Sequence, residues 1–206
     1  MPSTPAAAPP VVVVLTGGAS RRMGSHKPLL EVGGRALVAR VLDAAADRPT
    51  LVVGPGQGVP EGVRVVAERV PGGGPVSGVA TALATLVAEG TPSGAPLPYA
   101  VVLLAADLPF VTPEHVGRLV ASLASADLAV TVDHADRVNW LCAAWRTDVL
   151  GRRLEALGDP YGRSMRDLAD GVRRVPVTDH GRVALDVDTP ADLERARRRA
   201  AGDPDA

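Results

Sequence analysis

The sequence predicts an α/β chain in which one mostly parallel sheet lies between two helical layers. Three observations lead there. Val11–Leu15 and Tyr99–Ala105 are apolar throughout, as strands covered on both faces must be. Segments with helical spacing alternate with short β-branched runs along the chain, the pattern of βαβ units. Hydrophobic residues make up 46% of the chain but aromatics only 2%, so the core must be built from Val, Leu and Ala. A chain of 206 residues fits one such three-layer, Rossmann-like domain. It is expected over residues 11–201, between a Pro- and Ala-rich disordered tail at 1–10 and a frayed end at 202–206.

The elements follow in order. Val11–Leu15 is too short for a buried helix and β-branched enough for a central strand. Residues 28–34 read as a loop. Leu37, Val38, Val41 and Leu42 give an amphipathic helix over 35–47. Strands are expected at 51–53 and 63–67, then a glycine-rich loop at 72–78, a helix over 79–89 and a loop over 91–98. After the strand at 99–105, Thr112-Pro-Glu opens a helix to Leu123: Thr caps, Pro takes the first turn, Glu favours the positive end. Residues 128–132 and 141–145 are strand-like, with an antiparallel strand in this region. Thr147 is expected to cap a helix to Leu157. A short helix at 164–169 and a strand at 172–177 follow. Thr189-Pro190 with Asp192 reads as the capped start of the last helix.

The bulk numbers exclude several classes. A net charge of -1 gives no electrostatic pull toward nucleic acid, and the scarcity of aromatics argues against a base-stacking surface. No stretch reaches the ~18 apolar residues of a membrane span. The N-terminus lacks the charged and apolar regions of a signal peptide, so a cytoplasmic setting is expected. Cys142, the one cysteine, excludes an internal disulfide and sits in an apolar run as a core thiol. The four histidines show no metal spacing.

Three stretches carry candidate chemistry. The strand at 11–15 runs into Thr16-Gly17-Gly18, followed by Arg21, Arg22 and Lys27. Glycines let a ligand approach backbone N–H groups, and cations neutralise phosphates, so this is a way to hold a polyphosphate. It is neither a Walker loop, since Lys27 lies between His26 and Pro28, nor a G-x-G-x-x-G dinucleotide loop. An ordinary strand-to-helix turn with a basic face also fits the residues. Asp107, just past the second apolar strand, is placed to hold Mg²⁺ against phosphates, or to serve as a turn residue; Thr112 already supplies the next cap. Asp186 and Asp188 alternate around Val187, so on an extended chain both face one way, or they simply lead into the Thr189 cap.

These stretches together resemble a known family. Leu15, Gly17, Gly18, Arg22, Met23, Gly24 and Lys27 fall in register with the L-x-G-G-x-x-x-R-M-G-x-x-K loop of MobA-type nucleotidyltransferases. The resemblance spans roughly residues 11 to 195. Asp107-Leu-Pro resembles the family's metal-binding D-x-P motif, and Asp186-Val-Asp-Thr-Pro-Ala-Asp-Leu193 its terminal D/N-x-D/N-T-P-x-D-L motif. Gly72–Gly78 resembles the G-P-L-x-G loop near the base, and Arg163-Ser-Met-Arg166 an acceptor-side segment. Five positions depart from the pattern: His26 replaces an acidic residue, Gly54 an Asn, Glu68 an Asp, and Asp186 and Asp188 replace the asparagines frequent in the guanylyl branch.

The resemblance implies a nucleotide-diphospho-sugar-transferase-like fold and transfer of GMP from GTP to the phosphate of Mo-molybdopterin, with Mg²⁺ as cofactor. In that reading Lys27, Arg22 and Asp107 are catalytic. Leu15, Thr16, Gly17, Gly18, Gly54, Glu68 and Gly78 hold the nucleotide with Lys27 and Asp107, and Asp107 and Asp188 hold the metal. A carboxylate at Glu68 suits guanine, which offers two adjacent N–H donors. Transient contact with other cofactor-biosynthesis proteins or molybdoenzymes is also implied. The alternatives are cytidylyl transfer, transfer to a sugar phosphate or phospholactate, and, in a different class, a non-catalytic nucleotide-binding protein on the same fold.

Overall fold

The computed structural model describes residues 8–17, 27–46, 48–93, 96–180 and 183–203. Gly18, Arg21, Arg22, Met23, Gly24 and His26 of the glycine-rich stretch therefore lie outside the described residues. So do most of the expected tails, although Ala8 is tied to the domain by accepting a hydrogen bond from the Tyr99 N–H (3.1 Å).

Seven strands form the main sheet: β1 Val11–Leu15, β4 Thr50–Val53, β5 Arg64–Val66, β6 Ala100–Ala105, β7 Leu128–Val132, β8 Val138–Arg146 and β9 Arg174–Thr178. Their order is β5-β4-β1-β6-β8-β7-β9. All are parallel except β8, which runs antiparallel to both β6 and β7, as expected for this region. The alternation of β1 shows how the sheet separates its two cores. Val12 and Val14 face the layer containing α1 (Leu37–Ala45) and α3 (Pro113–Ser122). Val11, Val13 and Leu15 face α2 (Pro75–Ser93), α4 (Thr147–Leu157) and α5 (Met165–Leu168). Trp145 on β8 fills the second core and is fully buried.

Four local readings need correction. Residues 28–34 are not a plain loop: Lys27–Leu29 forms a 3-10 turn, and β2 (Glu31–Val32) pairs with β3 (Arg35–Ala36). Gly33 and Gly34 both have positive φ (60° and 72°), which a two-residue hairpin requires. Gly78 is not in a loop, because Pro75 begins α2 three residues earlier, a first-turn position where its missing N–H costs nothing. That helix also runs past Glu89, to Ser93. Thr147 does not cap α4. Its N–H is still bonded to the Tyr99 carbonyl, Arg146 occupies the cap position, and the Thr147 hydroxyl is buried without a partner. The caps expected of Thr112 and Thr189 form, and Ser164 supplies a further one. Thr112 accepts from His115 N–H, while Ser164–Asp167 and Thr189–Asp192 make reciprocal capping boxes.

A small third core holds the C-terminal helix α6 (Pro190–Ala200) against the β2–β3 hairpin through Val32, Leu37, Val187, Leu193 and Ala196. Val187 is fully buried there, which fixes the flanking Asp186 and Asp188.

Behind the sheet lies a buried polar chain. Thr131 Oγ1 donates to the Cys142 carbonyl (2.7 Å), so it accepts from His115 Nε2 (2.7 Å), and His115 Nδ1 accepts from Arg118 (2.8 Å). That arrangement needs a neutral imidazole. Burial, then the Arg118 charge, pushes the His115 pKa down to about 4. The unfolded chain takes up this proton near pH 6.5, so the stabilisation is complete above that value and is lost as pH falls toward 4. Chemical denaturation of the wild type should lose about 2 kcal/mol more than His115→Gln between pH ~7.5 and ~5. Equal losses would show that the imidazole is not held neutral.

Candidate active site

Parallel pairing delivers the ends of several strands to one edge of the sheet. Leu15 pairs with Val53 and with Ala105, and Val53 with Val66. Thr16–Gly17, Gly54, the Ala67–Glu68 turn and Asp107 therefore emerge side by side. Strand order reverses at β1, the place where ligands bind in open α/β sheets. The antiparallel β8 brings its beginning to the same edge, and β7 and β9 bring Asp133 and Asp179.

At the centre of that edge is a cation between carboxylates. Lys27 Nζ lies 2.5 Å from Asp107 Oδ2 and 2.6 Å from Asp188 Oδ1. The lysine is 9% exposed, an unusual burial for an ammonium group. Burial alone would pull its pKa down; Asp107 and then Asp188 outweigh this and leave it raised. The two carboxylates come from segments about eighty residues apart. A backbone bond joins those segments directly, the Val187 N–H donating to the Asp107 carbonyl (3.1 Å). Asp186 stands on the same side. Its pKa is raised, first by loss of solvent and then by the like charges of Asp188 and Asp107.

Two residues that the sequence did not single out hold this segment in place. Asp179 accepts from the N–H groups of Val183 (2.7 Å) and Ala184 (3.0 Å). Asn139 Nδ2 donates to the Ala184 carbonyl (3.0 Å). The signal available for both was weak: one polar residue at the end of an apolar strand.

The donor set suits a small divalent cation. Asp107 and Asp188 already share one positive group, and a hard cation such as Mg²⁺ takes one or two carboxylates plus phosphate and water oxygens. Among the described residues no three His, Cys, Asp or Glu side chains converge as a protein-only metal cage. A divalent cation held by this pair would draw its remaining ligands from phosphate and water oxygens.

On the other side of Thr16–Gly17 lies Glu68, whose side chain packs so closely on Gly17 that a Cβ there would overlap Glu68 Oε1. Its other oxygen accepts from the Gly72 N–H (3.3 Å). Gly54 serves the loop differently from the Asn common at its position. With φ of 132°, its Cα lies so close that a Cβ would collide with Thr16 Oγ1 and stand 2.7 Å from Gly17 N. Gly78, inside α2, packs on Leu15.

Beyond Asp107 opens a cavity of about 930 Å³. Asp107, Asp186 and Asp188 line it together with Trp140 of β8, Arg137 and Arg163. Ser164 and Met165 of the 163–166 segment also line it, and Arg166 does not. The Gly162 N–H donates to the Gly73 carbonyl (2.9 Å), tying this wall to the glycine-rich loop before α2. Cys142 takes no part: it is fully buried and its thiol is pushed up to about 12.

Residues 12–177 match the family model described as the MobA-like NTP transferase domain. The chain belongs to this family. One relative, the probable molybdenum cofactor guanylyltransferase of Pelotomaculum thermopropionicum, is 32% identical over 197 residues, covering 90% of each chain. The molybdenum cofactor guanylyltransferase of Rhodobacter capsulatus is 31% identical over 193 residues, covering 91% of this chain and 94% of its own. Among solved structures, the molybdopterin-guanine dinucleotide biosynthesis protein A of Archaeoglobus fulgidus shares the fold with a TM-score of 0.70 at 21% identity, covering 93% of this chain and 98% of its own. The family's fold, a mostly parallel sheet between helices, is the one expected from the sequence. Among the described residues no helix is long and apolar enough to cross a membrane.

The tight seat of Gly54 gives a direct check. Gly54→Ala should destabilise the protein by about 1–3 kcal/mol, the usual cost of a side chain forced into such backbone, and should also reduce stabilisation by nucleotide. Urea denaturation with and without nucleotide measures both. Unchanged values would mean that the Thr16–Gly17 turn does not depend on this contact.

Proposed function

We propose that this chain transfers GMP from GTP to the phosphate of Mo-molybdopterin and releases pyrophosphate. The observation that carries the reading is the convergence of Asp107, Asp188 and Lys27 at the ends of β1 and β6, beside a cavity large enough for a second substrate. The names of the relatives support the choice of GTP and acceptor.

The chemistry follows from the residues. An oxygen of the acceptor's phosphate monoester attacks the α-phosphorus of GTP. A new P–O bond forms, the bond to the β-phosphate oxygen breaks, and the electron pair leaves with pyrophosphate. A monoester is largely dianionic near pH 7, its second pKa being about 6. No protein base is needed to activate it. The residues must instead align two anions and neutralise charge. The Thr16 N–H is taken by the Val53 carbonyl (2.9 Å), so Gly17 offers its backbone N–H to the nucleotide, and Glu68, packed on Gly17, can accept the two N–H donors of guanine. Asp107 and Asp188 would hold Mg²⁺, which when bound neutralises phosphate charge and polarises the α-phosphate. Lys27 then exchanges its carboxylate partners for the departing pyrophosphate. Arg22, outside the described residues, is assigned the same role by its place in the motif.

Two measurements test this. With Mg²⁺ and GTP at ~100 times Kd, the protein should gain about 2.7 kcal/mol, roughly 5–10 °C in Tm at this chain length, and CTP should give less. Selectivity for CTP would move the reading to cytidylyl transfer and remove the guanine role of Glu68. With Mo-molybdopterin added, pyrophosphate should appear in step with the guanine dinucleotide. Nucleotide binding without any pyrophosphate would make the protein a nucleotide binder. Lys27→Ala should lower kcat by about 10²–10³, the usual loss for one preorganised charge-stabilising group. A near-normal rate would contradict the role given to Lys27.

A further inference from the structure

Trp140 is the feature that the reaction above leaves unused. The chain has five aromatic side chains. Trp145 is sealed in the core, Phe110 lies under Arg40 and Arg199, and Tyr99 and Tyr161 are exposed and do not line the cavity. Trp140 alone among them lines the cavity.

The way it gets there is specific. Along β7 and β8, Val130 pairs with Ala143, yet the next residue, Thr131, pairs with Asn139. Trp140, Leu141 and Cys142 have no partners on β7, so β8 bulges outward at the sheet edge that carries the site. Bulges re-aim side chains, and this one is locked by side-chain bonds. Asn139 Oδ1 accepts from the Leu141 N–H (3.0 Å), and Thr131 Oγ1 donates to the Cys142 carbonyl (2.7 Å). The Arg174 guanidinium of β9 stands over the ring, 5.5 Å from its centroid. A half-buried indole, held by a bulge and a cation at a cavity wall, is a rigid surface for stacking a flat ring. The same cavity has Asp107 and Asp188 on its wall, where the reacting phosphates must meet.

We propose that Trp140 is a specificity-determining platform on which the planar, nitrogen-rich bicyclic ring of the acceptor stacks, with the acceptor's phosphate tail directed toward Asp107. This rests on the acceptor being a pterin, as in the function proposed above. Arg174 acts through the indole as a positioning residue.

The test measures acceptor binding directly. Titration calorimetry of the full-length protein with neopterin monophosphate should give a Kd about tenfold weaker for Trp140→Ala than for the wild type, with Trp140→Phe close to the wild type. In turnover, Trp140→Ala should raise the KM for Mo-molybdopterin about tenfold, with kcat and the GTP-induced thermal shift unchanged, and Trp140→Phe should recover most of the loss. Equal affinity in wild type and Trp140→Ala, no binding by the wild type, or an unchanged KM in a folded Trp140→Ala would each overturn the platform. If the wild type forms no dinucleotide but binding still requires Trp140, the proposed reaction fails and the platform stands. If dinucleotide forms at a normal KM without Trp140, the reverse holds.

Discussion

A single ammonium group shared by two carboxylates organises the functional edge of this protein. Lys27 reaches Asp107 and Asp188 at 2.5 and 2.6 Å, and the three residues come from three separate parts of the chain. Each arrives by a different route. Asp107 follows a fully buried strand. Asp188 is placed by buried Val187, whose N–H is bonded to the Asp107 carbonyl. Lys27 opens the 3-10 turn before the hairpin that α6 packs against. Breaking any of these routes separates the charges. An unpaired ammonium at the depth of Lys27, whose side chain is 11% exposed, is costly, so its pairing with Asp188 on the segment before α6 favours the observed docking of that helix.

The site is a consequence of sheet topology. Six parallel strands end on one edge, and polar residues there cannot enter the aliphatic cores that occupy both faces. Glu68, the Thr16–Gly17 turn and the Asp107–Asp188 pair therefore line up in that order along the strand ends. The antiparallel β8 continues the row, because its bulged beginning reaches the same edge. In the proposed reaction the nucleotide and the acceptor take the two halves of one crevice, whose walls are tied by the Gly162–Gly73 hydrogen bond.

Much of this was legible in the sequence, for physical reasons that can be named. Uninterrupted aliphatic runs marked β1 and β6 because only strands covered on both faces tolerate them. Thr112-Pro113 and Thr189-Pro190 marked helix starts because cap chemistry is local. The pairing of Asp107 with the 186–188 segment followed from motif resemblance, since nothing local joins residues so far apart. What stayed hidden was non-local or ambiguous. Residues 28–34 read as a loop, because strands of two residues carry no period to detect. Thr147 looked like a cap because threonine often is one; tertiary pairing carried β8 through Arg146 instead. Asn139, Trp140 and Asp179 gave no pattern, because a bulge is set by the neighbouring strand and not by its own residues.

The measurement closest to the central claim is the stoichiometry and affinity of a divalent cation at the Asp107–Asp188 pair. Mn²⁺ is a suitable probe, since free and bound ions are distinguished by electron paramagnetic resonance. With GTP saturating, wild-type protein should bind one Mn²⁺ per chain more tightly than GTP does alone. Asp107→Asn, which keeps the shape and removes the charge, should weaken that binding at least tenfold, about 1.4 kcal/mol. An Asp107→Asn variant that binds Mn²⁺ and GTP as tightly as the wild type would contradict the claim that these carboxylates form the cation seat around which the site is built.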